Sequence, residues 1–171
     1  ANQRLRDFVA SGGGLLVVTG DQLPSGAWSG PWNDVLPGVI GSLVDRTGEA
    51  GGTLAWVEYD NPVFDLFNAP RSGDFATARF LRYRRLAVRA DTGRGQTDTL
   101  TTRAGASEGQ PGESTDSSRS RIGAPHVLAR FDDGGVALAE RTLGRGRVML
   151  WASTLDNYWN DLPLQPVFLP Y

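Results

Sequence analysis

The chain has no cysteine, no lysine and a single histidine. Without cysteine there is no disulfide, no thiolate metal ligand and no thiol nucleophile, and the redox compartment is left open. Without lysine there is neither a Schiff-base amine nor the lysine of a phosphate-binding P-loop. All 17 basic residues are arginine, a bias that reads as genomic, of a GC-rich bacterium. Any imidazole mechanism must use His126, which follows Pro125 at a strand start, and no G-x-S-x-G elbow accompanies it. It reads as an ordinary strand-start residue. Long apolar runs are missing too: the longest, such as residues 15–18 and 148–152, fall far short of the roughly 20 needed to cross a bilayer. The chain as given reads as soluble. Its first residues, ANQRLRDFV, lack the apolar core of a signal peptide and enter a helix at once, which suggests an excised piece with Ala1 as a vector scar.

What is present suits one globular domain over residues 1–171, since 171 residues with 40% hydrophobic content can bury a core without staples. A net charge of −2 gives no reason to expect nucleic acid as partner. Leu5, Phe8 and Val9 fall at helical spacing, and Ser11 with the glycines at 12–14 should end that helix. The unalternating run Leu15, Leu16, Val17, Val18 predicts a strand covered on both faces, as in a parallel sheet, ending at Gly20 and Asp21 where such folds place ligands. Residues 22–33 read as a loop, and residues 34–44 as a helix broken by Pro37 and Gly38.

Residues 53–59 predict a strand, and Asp60, Asn61 and Pro62 cap a short helix at 63–67. Residues 76–90 alternate imperfectly, slipping near Tyr83 to Arg85, which predicts a bulged strand. Residues 91–123 turn abruptly polar and are expected to be a mobile insertion or a long hairpin tip. Residues 126–131 and 136–143 flank Asp132, Asp133, Gly134 and Gly135, a hairpin signal. Residues 147–153 form the most buried-looking strand of all. The fold class that follows is α/β with a β-rich C-terminal half.

Candidate chemistry is thin. Asp156, Asn157, Asn160 and Asp161, with Ser153 and Thr154, make the densest oxygen cluster, just past a strand end. Hard-cation binding is conceivable there, but the spacing fits no EF-hand loop, and such residues commonly cap turns. The glycines at 12–14 precede a strand, whereas phosphate-cradling loops follow one, so no nucleotide cofactor is expected. Arg79, Arg82, Arg84, Arg85 and Arg89 read as a solvated stripe paired with Asp or Glu rather than an anion or RNA site. Trp56 and Trp151 lie in apolar strands and read as core, leaving Trp28, Trp32 and Trp159 as the rings available for sugar stacking.

Three motifs together, LRDFVASGGGLLVVTGD, VLARFDDGGVALAERTLGRGRVMLWASTLD and YWNDLPLQPVFLPY, resemble the class I glutamine-amidotransferase-like domain of bacterial BatA-type membrane proteins. The resemblance implies a partial flavodoxin-like sheet, an upstream membrane segment, often a von Willebrand factor A domain, and a final transmembrane helix approached by residues 162–171. It thus implies an extracytoplasmic, periplasmic place at the inner membrane, with a protein partner or the neighbouring von Willebrand A domain in contact and the membrane reached through flanking segments. A working amidotransferase needs a cysteine with a His-Glu pair, so no catalytic residue carries over.

The first βα units of such a fold would lie before Ala1, leaving an exposed sheet edge for packing or dimerisation to cover, so a homo-oligomer is among the expected partners. The expectation is a non-catalytic interaction or scaffold domain without cofactor. Its alternatives are a metal-dependent hydrolase using Asp21, Asp156 and Asp161, and a glycan-binding module using Trp28, Trp32 and Trp159.

Overall fold

A computed structural model describes residues 2–23, 32, 34–67, 74–88 and 122–168. The polar stretch up to residue 121 therefore lies outside the described residues, as do Trp28 and Arg89. The helix α1 (Asn2–Ala10) buries Val9 and ends as its sequence predicts. The Ser11 hydroxyl donates to the Phe8 carbonyl at 2.8 Å, and Gly12 takes φ +121°, a conformation that favours glycine. A side chain at Gly13, just before β1 (Gly14–Val18), would meet the exposed Phe8 ring and push it aside.

The main sheet has five strands in the order β1, β7 (Gly146–Trp151), β6 (Val136–Leu143), β5 (His126–Phe131) and β3 (Leu54–Val57). Of its pairings, β1 with β7 is parallel and the rest are antiparallel. The fold is a mixed α/β arrangement dominated by strands, and the parallel part expected from the sequence reduces to this one pair. Among the described residues β1 is an edge strand, and it is not covered on both faces: Leu16 is 48% exposed, while Val17 on the opposite face is buried. The aliphatic run was a sound strand signal, but aliphatic side chains cannot report whether a neighbour stands beside them.

A second, two-stranded sheet pairs β2 (Val39–Asp45) with β4 (Arg82–Ala87). This corrects the broken helix expected over 34–44. Pro37 and Gly38 stop helical hydrogen bonding, and the β-branched Val39 and Ile40 then find β4 to pair with. The expected bulge exists, but it sits in β2, where Gly41 and Ser42 face the single residue Arg85. A side chain at Gly41 would come within 3.1 Å of the Arg85 carbonyl oxygen.

The core lies between the two sheets. Phe80 stands edge-on to Phe131 and to Trp151, at centroid distances of 5.2 and 5.8 Å, and the Tyr83 ring stacks on Phe131 at 3.9 Å. Backbone bonds tie the sheets as well: the Arg84 amide donates to the Ala152 carbonyl at 2.7 Å. Arg46, just after β2, forms an ion pair with Asp132 in the β5–β6 turn, which holds its guanidinium firmly protonated. The short helix expected over 63–67 is a 3-10 turn, Pro62–Phe67, begun by Asn61, whose side-chain oxygen accepts from the Val63 amide at 3.1 Å.

Candidate functional site at the carboxyl end of the parallel strands

The carboxyl ends of β1 and β7 lie side by side, with the Thr19 amide donating to the Trp151 carbonyl at 3.1 Å. Everything the sequence marked as chemically suggestive in the C-terminal block emerges here. Asn160, buried, organises the turn after β7. Its amide nitrogen donates to the Thr154 carbonyl at 2.9 Å and to the Ser153 hydroxyl at 3.1 Å, and its oxygen accepts from the Leu162 amide at 3.1 Å. The Ser153 hydroxyl itself donates to the Arg82 carbonyl at 2.9 Å.

The acids of that block are turned toward backbone amides. Asp156 accepts from the Tyr158 amide at 3.0 Å, and Asp161 accepts from the Arg79 amide at 2.6 Å, with its own amide returning a bond to the Arg79 carbonyl. Asp21 lies in the exposed turn after β1. Among the described residues no group of three or more His, Asp or Glu side chains converges as a metal site would require.

Two of the tryptophans offered for sugar stacking are interior. Trp159 is 1% exposed and Trp32 is buried, and Trp28 lies outside the described residues. The reverse holds for Trp56, expected in the core: it is 45% exposed, because β3 closes the far edge of the sheet. Burial of an aromatic on a strand depends on which face is covered, and residues 53–59 carry apolar groups on both.

The His126 Nε2–H donates to the Glu58 carboxylate at 3.0 Å, and the ring borders an open cavity of about 520 Å³. The cavity walls are chiefly Leu86, Val88, Pro125, Val127 and Val136, with no hydroxyl or carboxylate among the lining residues.

The arginine stripe divides. Arg82 pairs with Asp45 at 2.9 Å and Arg85 with Asp133 at 3.6 Å, as a solvated stripe should. Arg84 between them points inward and is buried, which corrects its placing on a solvated face. Together with the edge position of Leu16, this is what the sequence reading missed. Alternation assigned Arg84 a face, but nothing local showed that a second sheet covers that face.

No protein-family model matches the chain, and no curated protein matches it. Among solved structures it is similar to "Cytoplasmic Protein STM1381 from Salmonella typhimurium LT2", at 17% identity and a TM-score of 0.60 over 97% of this chain and 53% of that one. It is also similar to "Cytoplasmic Protein STM3548 from Salmonella typhimurium", at 15% identity and a TM-score of 0.55 over 92% of this chain and 50% of that one. The chain spans about half the length of each, and at these identities the likeness is one of fold. Both neighbours are described as cytoplasmic proteins, which overturns the expected periplasmic, membrane-anchored scaffold. Neither is described as a BatA-type or glutamine-amidotransferase-like protein. Among the described residues no helix is long and apolar enough to cross a membrane.

Proposed function

We propose that the chain is a non-catalytic protein-binding module that accepts a strand from a partner along β1. One observation carries this reading. In the parallel ladder, Gly13 accepts from Arg147 and Thr19 donates to Trp151, so alternation turns the N–H and C=O groups of Gly14, Leu16 and Val18 away from β7. Among the described residues no other strand pairs with β1. Gly14–Val18 also contains no proline and no charge, two of the devices that blunt an edge, and the Leu16 side chain is half in water. A short apolar edge with unpaired backbone groups is the template that strand addition uses.

The flavodoxin-like aspect of the fold belongs to the same proposal only for a strand added parallel to β1, which would extend the parallel part of the sheet. The absence of catalysis is supported by where the polar groups go. Asp156, Asp161, Ser153 and Asn160 are engaged in closing the turn, and His126 faces a carboxylate instead of a nucleophile.

Hydrogen exchange tests the proposal. In the free chain the amides of Leu16 and Val18 should exchange rapidly while those of Leu15, Val17 and Thr19 are protected. A partner isolated with the wild-type chain and reconstituted from purified components should protect Leu16 and Val18, and its binding should be lost in Leu16→Lys. A partner that binds both chains equally and leaves these amides unprotected overturns it.

A further inference from the structure

Arg84 is 8% exposed, and its guanidinium reaches the carboxyl end of β1. Nη2 donates to the carbonyls of Leu23 at 2.9 Å and Gly20 at 3.3 Å, which fixes the group in place. Nε is buried and has no partner. Among the described residues no carboxylate lies within ion-pair distance of Arg84, although Arg46, Arg82, Arg85 and Arg147 each have at least one. The loop that follows β1 supplies none either, since residues 22–33 contain no Asp or Glu.

One residue before Gly20 is a second unsatisfied group. The Thr19 hydroxyl, in a residue 1% exposed, is buried without a hydrogen-bond partner. The neighbouring Ser153 hydroxyl and Asn160 amide are already engaged, so they do not answer either group.

A desolvated cation that meets only neutral carbonyls is costly, and so is a buried hydroxyl with nothing to bond. Arg141 gives the comparison within the same molecule. It too donates to two carbonyls, of Asp34 at 2.8 Å and Leu36 at 3.1 Å, and its Nε is also buried without a partner. The Asp34 charge, however, acts on Arg141. Among the described residues Arg84 has no such counter-charge, and it stands where open α/β sheets bind ligands, beyond the carboxyl ends of parallel strands.

We infer that Arg84 and Thr19 form an oxyanion site, in which a carboxylate or phosphate oxygen of a small ligand accepts from the Arg84 Nε–H and the Thr19 hydroxyl. The site is separate from the β1 edge, so it stands or falls independently of strand addition. An oxyanion there neutralises the guanidinium and satisfies both orphaned donors, and the Gly20 and Leu23 carbonyls hold the cation ready for it.

The side-chain Nε–H signals of the full chain, followed by nitrogen-15 NMR, test the inference. Sodium phosphate and sodium acetate are titrated separately at ionic strength held constant with sodium chloride. The Arg84 signal, assigned by its loss in Arg84→Lys, should move with saturation while that of Arg141 stays put. Saturation by phosphate alone identifies a phosphate site, and saturation by acetate alone a carboxylate site. Thr19→Val, which removes the hydroxyl at nearly constant volume, should weaken binding roughly tenfold or more, as expected for a hydrogen bond to a charged group. This variant also carries the test if Arg84→Lys does not fold. Parallel, unsaturable movement of both arginines, no movement at all, or undiminished affinity in Thr19→Val would overturn the inference.

Discussion

The ring of Tyr83 lies over that of Phe131 at a centroid distance of 3.9 Å and an interplanar angle of 26°, and the same tyrosine donates its hydroxyl to Asp133 at 2.7 Å. One side chain from the small sheet thus supplies both an apolar contact to β5 and a polar anchor on the hairpin that follows it. Tyr83→Phe keeps the stacking and loses the anchor. It should destabilise the chain by about 1.5–3 kcal/mol, the range for a hydrogen bond to a charged group. Tyr83→Ala removes the ring too and should cost about 3–5 kcal/mol. Urea unfolding of the three chains separates the two contributions.

The same pair sets a pH dependence. Burial alone would raise the Asp133 carboxyl, but the bonds from the Tyr83 hydroxyl and the Gly135 amide, with the charges of Arg85 and Arg46, hold it below its ordinary value. A carboxyl depressed in the fold contributes stability that is whole above its unfolded value of about 3.9 and is lost as pH falls through the folded one. Tyr83 behaves oppositely. Burial first, and then the Asp133 charge, push its phenol up to about 12. Its contribution is whole below the unfolded value of about 10 and is lost as pH rises toward the folded one. Unfolding free energies across pH should therefore fall at both ends. Asp133→Asn should flatten the acid limb, and a wild-type acid limb unchanged by that substitution would contradict the assignment.

Gly146 opens β7 where α1 and β1 meet. A side chain there would collide with the carbonyl oxygens of Val9 and Gly13, neither of which can move without dragging the helix or the strand. Gly146→Ala should cost at least about 1–3 kcal/mol, the range for overpacking. Gly48→Ala, where the added methyl meets nothing within 4 Å, should leave stability almost unchanged. Thermal melts of the two variants make the comparison.

In the turn after β7, Asn160→Ala should destabilise by about 1–3 kcal/mol, because it strands the Leu162 amide in the interior and leaves the Thr154 carbonyl only its bond from the Trp151 indole N–H. Asp156→Ala removes one bond at an exposed turn and should cost about 1 kcal/mol at most. If Asp156 and Asp161 act as turn closers, calorimetric titration with Ca²⁺, Mg²⁺ or Mn²⁺ should release no heat. Heat that disappears in Asp156→Asn would establish a cation site instead.

Leu16 and Trp56 mark the two outer strands of the sheet. Trp56→Ser should be far better tolerated than Trp151→Ser, since Trp151 is packed edge-on against Phe80 and Trp56 stands half in water. Chemical denaturation should show a gap of several kcal/mol, of the order expected between a surface and a core aromatic.

The elements most legible in the chain are those whose causes are local. Asp133 and Gly134 build the β5–β6 turn within a few residues: Asp133 accepts from the Gly135 amide at 2.8 Å, and Gly134 takes φ +80°. Ser11 and Gly12 end α1 in the same way, and Asn61 begins the 3-10 turn at Pro62. Backbone dihedrals and short-range hydrogen bonds depend on neighbours along the chain, so residue identity suffices to specify them. The missing cysteine and lysine exclude their chemistries for the same reason, whatever the fold.

Partnership is another matter. That 39–45 is a strand depends on β4 lying alongside it. That Arg84 is buried while Arg85 is exposed depends on the main sheet covering one face of β4. Leu16 and Val148 are equally aliphatic, yet β1 stands at the edge and β7 is flanked on both sides. Burial, pairing and counter-charge are set by residues distant in sequence, and the hydrophobic patterning of one strand carries no record of which strand lies beside it.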